Sequence, residues 1–593
     1  MSFGRWCAVV SFMCLAPPVA AQGGAGQLPA ASGHPAVPTV APTQGGAPDV
    51  VVNALIDRKR GSWKRAESEH VIIFSKDSAA ELTRVSRNLE RLYFLMSRLY
   101  RHGDPADDTA KLQVTLIDSA TNFRAMGLRN LRAAQGPYLP VFADQTYYDP
   151  REDGSVLAIA RSDQSIDMDT NRAYHADCDE ALAQGATDCV GVVPFHPPAV
   201  RPWEELLYAA FAQHFIQTYD PAAYPRWYLD GIGALFSTIE LRGNGGIDYA
   251  RPPLGYKQVF RSYGDVKVGD VLAGRSLDAD GKPVVWSPYH AWLLAHFFLY
   301  SDLKPERARQ FRAYMTAIHQ GQPMAKAARV FGDMGRLQRE ITGYAAEQKS
   351  FARSGPPEVP VGDPAIGTLS PGDAALVEAR IELDTRLAAQ SPDAGPAATD
   401  PRAAQSRAAW LAQLRDVAAR FPDDGDVQAF AAEAECRAGH PAECRADADR
   451  ALARSPNDVA ALAWKGVALT DEAVAGPAAD RAASLAAARA TIERAIALDG
   501  EAPLPLIAWF QSFTKAGEHV PDAAVLGMAK VIRRVPAAPA PRLYLAGELL
   551  RQGNADVARR VAYTVLYGAY DSPEKKAAAA LFLPAGGASS AGH

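Results

Sequence analysis

Histidine and acidic side chains near residues 203–240 are the first candidates for chemistry in this chain. The stretch contains Glu204, Glu205, His214 and Asp230, and His296 follows on a later predicted helix. Imidazole and carboxylate groups bind zinc, and a catalytic zinc takes about three protein ligands and keeps one position for water. Two histidines at i and i+4 suit this task because both rings then lie on one helix face. None of the 12 histidines forms H-E-x-x-H or H-x-x-E-H, so the usual zinc motif is missing.

Two segments of this stretch resemble the bacterial peptidase-MA-like family of gluzincin-type metallopeptidases. That family carries H-E-x-x-H-H-F on one helix and W-x-x-E-G-x-A-E-Y-F on the next, and this chain has QHF at 213–215 and WYLDG at 227–231. The resemblance aligns Ala209 with the first histidine and Ala210 with the catalytic glutamate. It aligns Gln213 with the second histidine and Asp230 with the glutamate that is the third ligand.

These four aligned positions lack the groups that zinc catalysis needs. Ala209 cannot bind a metal, and the amide oxygen of Gln213 is a poor substitute for imidazole on zinc. Ala210 cannot activate a metal-bound water. Asp230 is one methylene shorter than glutamate, which shortens its reach by about 1.5 Å. We therefore expect no catalytic residue, no bound metal and no other cofactor, and zinc in a rearranged site is the alternative.

A rearranged zinc site would have to recruit its ligands from other residues, and the candidates are His214, Asp230, Glu204, Glu205 and His296. His214 lies about 100° around the helix from the aligned metal face, which favours a packing or hydrogen-bonding role. Asp230 precedes a glycine at the entry to a helix, which favours a cap or a salt bridge.

The family resemblance extends over about residues 60–350. Residues 63–75 contain the family's W...E-S-x-H opening pattern, and WLLAHF at 292–297 is similar to its W-x-L-x-H-Y helix. Hydrophobic periodicity predicts strands at 69–75, 112–117 and near 156–160. It predicts helices at 78–100, 203–219, 227–240, 310–319 and 336–346. The resemblance implies an α+β gluzincin-like metallopeptidase-type domain at 61–350.

The rest of the chain changes character. Residues 351–373 are rich in proline and glycine and are expected to form an extended connector. Residues 374–580 are rich in alanine, and FPD at 421–423 and SPN at 455–457 are 34 residues apart, which is the tetratricopeptide period. Ala432, Ala451 and Gly466 then fall where helices need small residues, and later breaks near Asp499 and Pro536 indicate two looser units. We expect an all-α tetratricopeptide-like solenoid, with alanine-rich hairpins of another kind as the alternative, and a flexible tail at 581–593.

The N-terminus has the features of an export signal. Arg5 precedes a short apolar run, and small residues end at Ala21, which predicts a signal peptide at 1–21. Cys14 leaves open whether the chain is a lipoprotein. Residues 22–60 are rich in glycine, proline and alanine with almost no charge, and we expect a disordered tether. The protein is therefore expected in the periplasm or outside the cell.

The four cysteines beyond the signal form two local pairs, Cys178 with Cys189 and Cys436 with Cys444. An exported protein meets an oxidising environment, so we expect each pair to form a disulfide.

Composition excludes several other classes of function. The net charge is -5 and the chain has no basic block, which argues against a nucleic-acid partner. No segment after the signal is long and apolar enough to span a membrane. We therefore expect an exported, non-catalytic metallopeptidase homologue that binds a peptide or protein through its cleft and helical repeats. An active zinc metallopeptidase with a rearranged site and a structural envelope scaffold are the alternatives.

Overall fold

The computed structural model describes residues 62–100, 109–128, 145–166, 173–175, 199–256, 264–282, 284, 287–347, 349–357, 360–387 and 401–583. The predicted signal peptide, the tether, the Cys178–Cys189 pair and most of the predicted tail lie outside these residues.

The strands of the described chain, in sequence order, are β1 (Lys64–Glu67), β2 (Val71–Ser75), β3 (Leu112–Ile117), β4 (Thr146–Arg151), β5 (Gly154–Ala160), β6 (Gln164–Ile166), β7 (Ala173–His175), β8 (Ala199–Arg201), β9 (Glu240–Leu241), β10 (Ile247–Tyr249), β11 (Ala352–Arg353) and β12 (Ala365–Thr368).

The helices, in the same order, are α1 (Ala79–Tyr100), α2 (Ala120–Ala125), α3 (Trp203–Tyr219), α4 (Arg226–Ser237), α5 (Val268–Leu272), α6 (Pro288–Tyr300), α7 (Pro305–His319), α8 (Met324–Ala327), α9 (Met334–Ala346), α10 (Pro371–Leu387), α11 (Pro401–Arg420), α12 (Gly425–Arg437), α13 (Pro441–Arg454), α14 (Val459–Ala475), α15 (Arg481–Leu498), α16 (Pro503–Ala516), α17 (Asp522–Arg534), α18 (Pro539–Arg551), α19 (Ala555–Leu566) and α20 (Pro573–Leu581).

A six-stranded sheet organises the N-terminal region, in the order β12-β1-β2-β3-β5-β4. Strands β2, β3 and β5 are parallel neighbours, and the outer pairs are antiparallel. Val71, Ile73, Val114, Leu116 and Leu157 of the central strands are all fully buried. Parallel strands that are covered by helices need such apolar runs, which explains why the sequence pattern found these three strands.

Several predicted elements have the expected bounds. Strand β3 and helix α3 match the predicted ranges 112–117 and 203–219. Helix α1 was predicted at 78–100 and begins one residue later, at Ala79. Helix α4 ends at Ser237 instead of residue 240, because strand β9 already begins at Glu240. The helices predicted at 310–319 and 336–346 begin earlier, at Pro305 and Met334.

The two edge strands of the large sheet are among the elements that the sequence pattern missed. Strands β4 and β12 lie at the two edges of the large sheet, and β4 contains Asp149 and Pro150. Proline is tolerated at an edge because its missing N–H faces no neighbouring strand. The segment 351–373 is extended as expected, but it is more than a connector, since β11 pairs with β10 and β12 pairs with β1.

The C-terminal region consists of helical hairpins. After α10 and α11, successive helices pair as α12 with α13, α14 with α15, α16 with α17 and α18 with α19. We call α11–α20 the helical array. Helix α10 joins it to the sheet, because Val377 and Ile381 pack beneath the sheet while Leu376, Leu383 and Leu387 pack against the array.

Small residues allow the hairpins to pack closely, as predicted. Ala432 and Ala451 are fully buried. A Cβ added to Gly466 on α14 would lie 2.2 Å from Cγ1 of Ile492 on α15, so this contact requires glycine. The predicted disulfide between Cys436 and Cys444 is present and links α12 to α13 across their turn.

Across the described residues, every helix is too short or too polar to cross a membrane.

Candidate functional site

Helices α3 and α4 bring together two of the four positions that the resemblance aligned with zinc ligands and the catalytic base. Gln213 Nε2 lies 3.4 Å from Oδ1 of Asp230 and 3.3 Å from the Leu229 carbonyl oxygen. Gly233 makes room for this contact, since a Cβ there would lie 3.0 Å from Gln213 Nε2. The two residues that the resemblance aligned with metal ligands, Gln213 and Asp230, are therefore neighbours in this structure.

Gly231 fixes the position of α4. A Cβ at this residue would lie 2.6 Å from Cβ of Ala295 and 2.7 Å from the carbonyl oxygen of Ala291, both on α6. The two helices can approach this closely only because residue 231 has no side chain. The neighbouring Asp230 is consequently held by a rigid helix pair, and it is only 6% exposed.

Polar side chains from α3, α4 and the C-terminal end of the chain surround the carboxylate of Asp230. Arg226, one turn earlier on α4, places its Nε 3.3 Å from Oδ2. The hydroxyl of Tyr570 donates to Oδ1 at 2.8 Å, and Gln213 lies on the same oxygen. The guanidinium of Arg226 also lies 5.6 Å from the centre of the Tyr570 ring. The positive charge beside Asp230 is therefore an arginine, which fits the salt-bridge role predicted for this residue.

Tyr570 comes from the far end of the chain, between α19 and α20. The same end makes two further contacts with the N-terminal region. Tyr563 donates its hydroxyl hydrogen to the Ile318 carbonyl at 3.4 Å, and the Tyr567 ring packs on Gly321, where a Cβ would lie 3.0 Å away. The C-terminal end of the chain thus packs against α4 and the end of α7, and Tyr570 covers Asp230.

Ala209 and Ala210 contribute no polar group to this place. Both are on α3, where Ala210 is 4% exposed and Ala209 is partly buried. A methyl group offers no ligand to a metal and cannot take a proton from water. The folded helix therefore has neither a metal ligand at residue 209 nor a general base at residue 210.

His214 faces β4 and is hydrogen-bonded there. Its Nδ1 lies 2.9 Å from the Tyr148 hydroxyl and 3.3 Å from Oγ1 of Thr218. The side chain is buried, with 3% exposure. This is the hydrogen-bonding position that was expected from its place on the helix.

The other residues proposed for a rearranged zinc site each have a separate partner. Glu204 pairs with Arg84 at 2.9 Å, and Glu205 lies 3.3 Å from Nε of Arg201. Burial raises the pKa of Glu205 to about 7, although Arg201 acts to lower it.

His296 is fully buried. Its Nδ1 lies 2.6 Å from the Tyr344 hydroxyl and its Nε2 lies 3.1 Å from the Ser350 carbonyl oxygen. Burial lowers the pKa of His296 to about 4. Within the described residues, His214, Asp230, Glu204, Glu205 and His296 do not come together as a group of metal ligands.

One acidic cluster was not foreseen. Asp373, Asp424 and Asp426 place carboxylate oxygens within 4.8 Å of one another where α10 meets the array. The Ser370 hydroxyl lies 3.1 Å from a carboxylate oxygen of Asp373 and 2.9 Å from one of Asp424, and its single hydrogen can be donated to either. Burial, followed by repulsion from Asp373, raises the pKa of Asp426. The three come from separate stretches of sequence, so no motif could have linked them.

Comparisons with known proteins add little to this description. No family model matches the chain, and no curated protein matches it. Among solved structures, one similar chain is a thermophilic TPR protein from Thermus thermophilus, with 18% sequence identity and a TM-score of 0.27. The similarity covers 30% of this chain and 93% of that chain. A TM-score this low does not establish a shared fold.

Proposed function

We propose that this chain is an exported, non-catalytic, metallopeptidase-like protein that binds a protein or peptide partner through its helical array. The environment of Asp230 is the observation that supports the absence of zinc catalysis. Arg226 neutralises the carboxylate, and Tyr570 and Gln213 hydrogen-bond to it. A zinc ion would have to displace this arginine, and it would find only alanine at positions 209 and 210.

The proposal that a protein or peptide partner binds is supported by the helical array. Stacked helical hairpins form extended surfaces that commonly bind peptides or proteins. Because Tyr570 covers Asp230, we assign the partner to the array and not to the cleft. The Cys436–Cys444 disulfide supports an oxidising compartment outside the cytoplasm.

Photo-crosslinking in the native host tests partner binding with the intact chain. A photoreactive amino acid is placed at the exposed Leu526 or Val557 of the array, and at the exposed Leu277 or Phe351 of the N-terminal region as matched controls. We expect adducts with another protein from the array positions only. Adducts that are absent throughout, or equal at array and control positions, would contradict array binding.

Restoring the missing ligands tests the metallopeptidase-like arrangement. The triple variant A209H/Q213H/R226A supplies two histidines at i and i+4 and releases Asp230. We expect it to bind one zinc ion, measured by calorimetry, and we expect the added change D230N to weaken that binding strongly. Equal zinc binding with and without D230N would show that Asp230 is not placed as a third ligand, and the alignment would then be wrong.

A further inference from the structure

Arg542 on α18 is a partly buried arginine with no carboxylate beside it. Its Nε is buried and has no hydrogen-bond partner among the described residues. Its two terminal nitrogens lie 3.4 Å from the Val561 carbonyl oxygen of α19 and 3.3 Å from the Pro536 carbonyl oxygen in the turn before α18. Both distances exceed the usual value of about 2.9–3.0 Å for an N–H···O hydrogen bond, so the carbonyl oxygens hold the guanidinium only weakly.

Buried arginines elsewhere in the described chain are paired with carboxylates. Arg151 lies 2.7 Å from Asp149, and Arg307 lies 2.7 Å from Glu340. The described residues supply no such group to Arg542, and burial lowers its pKa to about 10. A charge that has lost hydration without gaining an ion pair is unfavourable. A carboxylate from outside the chain would compensate for this loss.

The start of α18 favours an anion at the same place. The helix begins at Pro539, and its N-cap residue Ala538 makes no side-chain capping hydrogen bond. The N-terminal end of a helix carries a partial positive charge and favours anions. Arg542 is in the first turn, and its contact with the Pro536 carbonyl places the guanidinium beside this end of the helix. An anion bound there would meet both the guanidinium and the helix end.

Two exposed arginines lie on the helices that flank Arg542. Arg533 is in the last turn of α17, and Arg560 is on α19, directly before the residue whose carbonyl Arg542 contacts. Arg533 acts to lower the pKa of Glu501, but that carboxylate is already paired with Lys530 at 2.8 Å. The exposed guanidinium groups therefore add positive charge around Arg542.

Exposed apolar side chains extend this surface along both helices. Leu526 on α17 is 59% exposed, and Val557 on α19 is 39% exposed. Leu526 is seven residues before Arg533 and Val557 is three residues before Arg560, so each pair shares one helix face. The acidic residues of these helices lie in the first turns, as Asp522 in α17 and Asp556 in α19. The surface thus combines apolar side chains with an excess of positive charge.

We propose that Arg542 anchors a carboxylate on an acidic segment of the partner protein. Arg533 and Arg560 bind flanking carboxylates, and apolar side chains of the same segment lie on Leu526 and Val557. This inference rests on the proposed binding role of the array, and it names the chemistry of the partner. A carboxylate can accept two N–H groups from one guanidinium, and it would replace the two long contacts with carbonyl oxygens.

Fluorescence anisotropy with a labelled peptide of alternating glutamate and leucine tests this inference on the full chain. We expect the unmodified chain to bind the peptide and R542Q to bind it at least about tenfold more weakly, because the anchoring ion pair is lost. The matched control is R312Q, which removes an exposed arginine from α7 in the N-terminal region and should bind like the unmodified chain. A peptide of alternating glutamine and leucine should bind much more weakly than the acidic peptide.

A second variant keeps the test valid if R542Q does not fold. Arg533 and Arg560 are exposed, so R533Q/R560Q should unfold at the same temperature as the unmodified chain. We expect this variant to bind the acidic peptide several-fold more weakly, because the flanking carboxylates lose their partners.

Several results would overturn the inference. They are an acidic peptide that binds no protein, equal binding to the unmodified chain and a folded R542Q, unchanged binding in R533Q/R560Q, and equal losses in R542Q and R312Q. Equally tight binding of the glutamine peptide would show that the surface takes an apolar segment without an acidic anchor, and it also overturns the inference. If Leu526 or Val557 still crosslinks to another protein in these cases, the proposed function stands and only the acidic-anchor inference fails.

Discussion

At the scale of single residues, the candidate site is defined by what surrounds Asp230. The sequence identified Gln213 and Asp230 as neighbours, and they lie 3.4 Å apart. Arg226 could have been added, because it lies four residues before Asp230 on the same helix, where opposite charges meet. Tyr570 could not have been predicted as a neighbour of Asp230, because the two residues are 340 positions apart in sequence and no local pattern connects them.

Removing the Tyr570 hydroxyl tests its contact with Asp230. The Y570F variant keeps the ring against Arg226 but leaves Asp230 with one hydrogen bond fewer. We expect the free energy of unfolding, measured in urea, to fall by about 1 kcal/mol. The control is Y567F, at an exposed tyrosine of the same segment, and a loss of equal size in both variants would contradict a specific role for Tyr570.

Titration of Glu433 gives a second prediction for a single residue. Its pKa in the folded protein, about 7, is raised above the ordinary value of 4.5. Folding therefore favours the protonated form of Glu433 over the ionised form. The stability that Glu433 contributes is complete below about pH 4.5 and is lost as the pH rises through 7. Between about pH 5 and pH 8, we expect the unmodified chain to lose stability relative to E433Q.

The measurement for Glu433 is chemical unfolding of both proteins across this pH range. Glu443→Gln, at an exposed position on the next helix, serves as the matched control and should run parallel to the unmodified chain. A constant difference between the unmodified chain and E433Q at all pH values would contradict the raised pKa.

At the scale of helices and strands, close packing of α14 on α15 depends on Gly466. A Cβ there would meet Ile492 at 2.2 Å, so G466A forces the helices apart. We expect a loss of about 1–3 kcal/mol in the free energy of unfolding. Gly547, also within a helix, has no neighbour within 4 Å of an added Cβ, so G547A should instead stabilise by up to about 1 kcal/mol. Thermal unfolding of both variants checks this prediction, and equal effects would contradict it.

Elements with strong internal periodicity were predictable, and those defined by their neighbours were not. Strand β3 and helix α3 matched because burial on one or both faces imposes an apolar pattern on the sequence. Strands β4 and β12 lie at sheet edges, where one side of the strand needs no partner and charged residues or proline are tolerated. The strands with which β4 and β12 pair lie elsewhere in the sequence, so the local hydrophobic pattern does not predict the pairing.

At the scale of the whole molecule, the helical array and the N-terminal region are in contact at several places along the described chain. Helix α10 packs under the sheet, Glu152 of the β4–β5 turn accepts a hydrogen bond from Tyr544 of α18, and Tyr570 covers Asp230. Ala110 also donates its backbone N–H to the carbonyl oxygen of Arg534 at the end of α17. The sequence predicted two successive regions but contained no signal that they would pack together in this way. In the proposed function, the same packing closes the cleft and leaves the array as the surface for a partner.

The zinc content of the purified full chain tests the central claim most directly. The chain is incubated with zinc, separated from free metal and measured by elemental analysis, and peptide hydrolysis is assayed with and without a chelator. We predict far less than one zinc per chain and no chelator-sensitive hydrolysis, because Arg226 and Tyr570 hold Asp230 and residues 209 and 210 are alanine. One tightly bound zinc per chain, together with hydrolysis that is lost when the zinc is removed, would contradict the proposal.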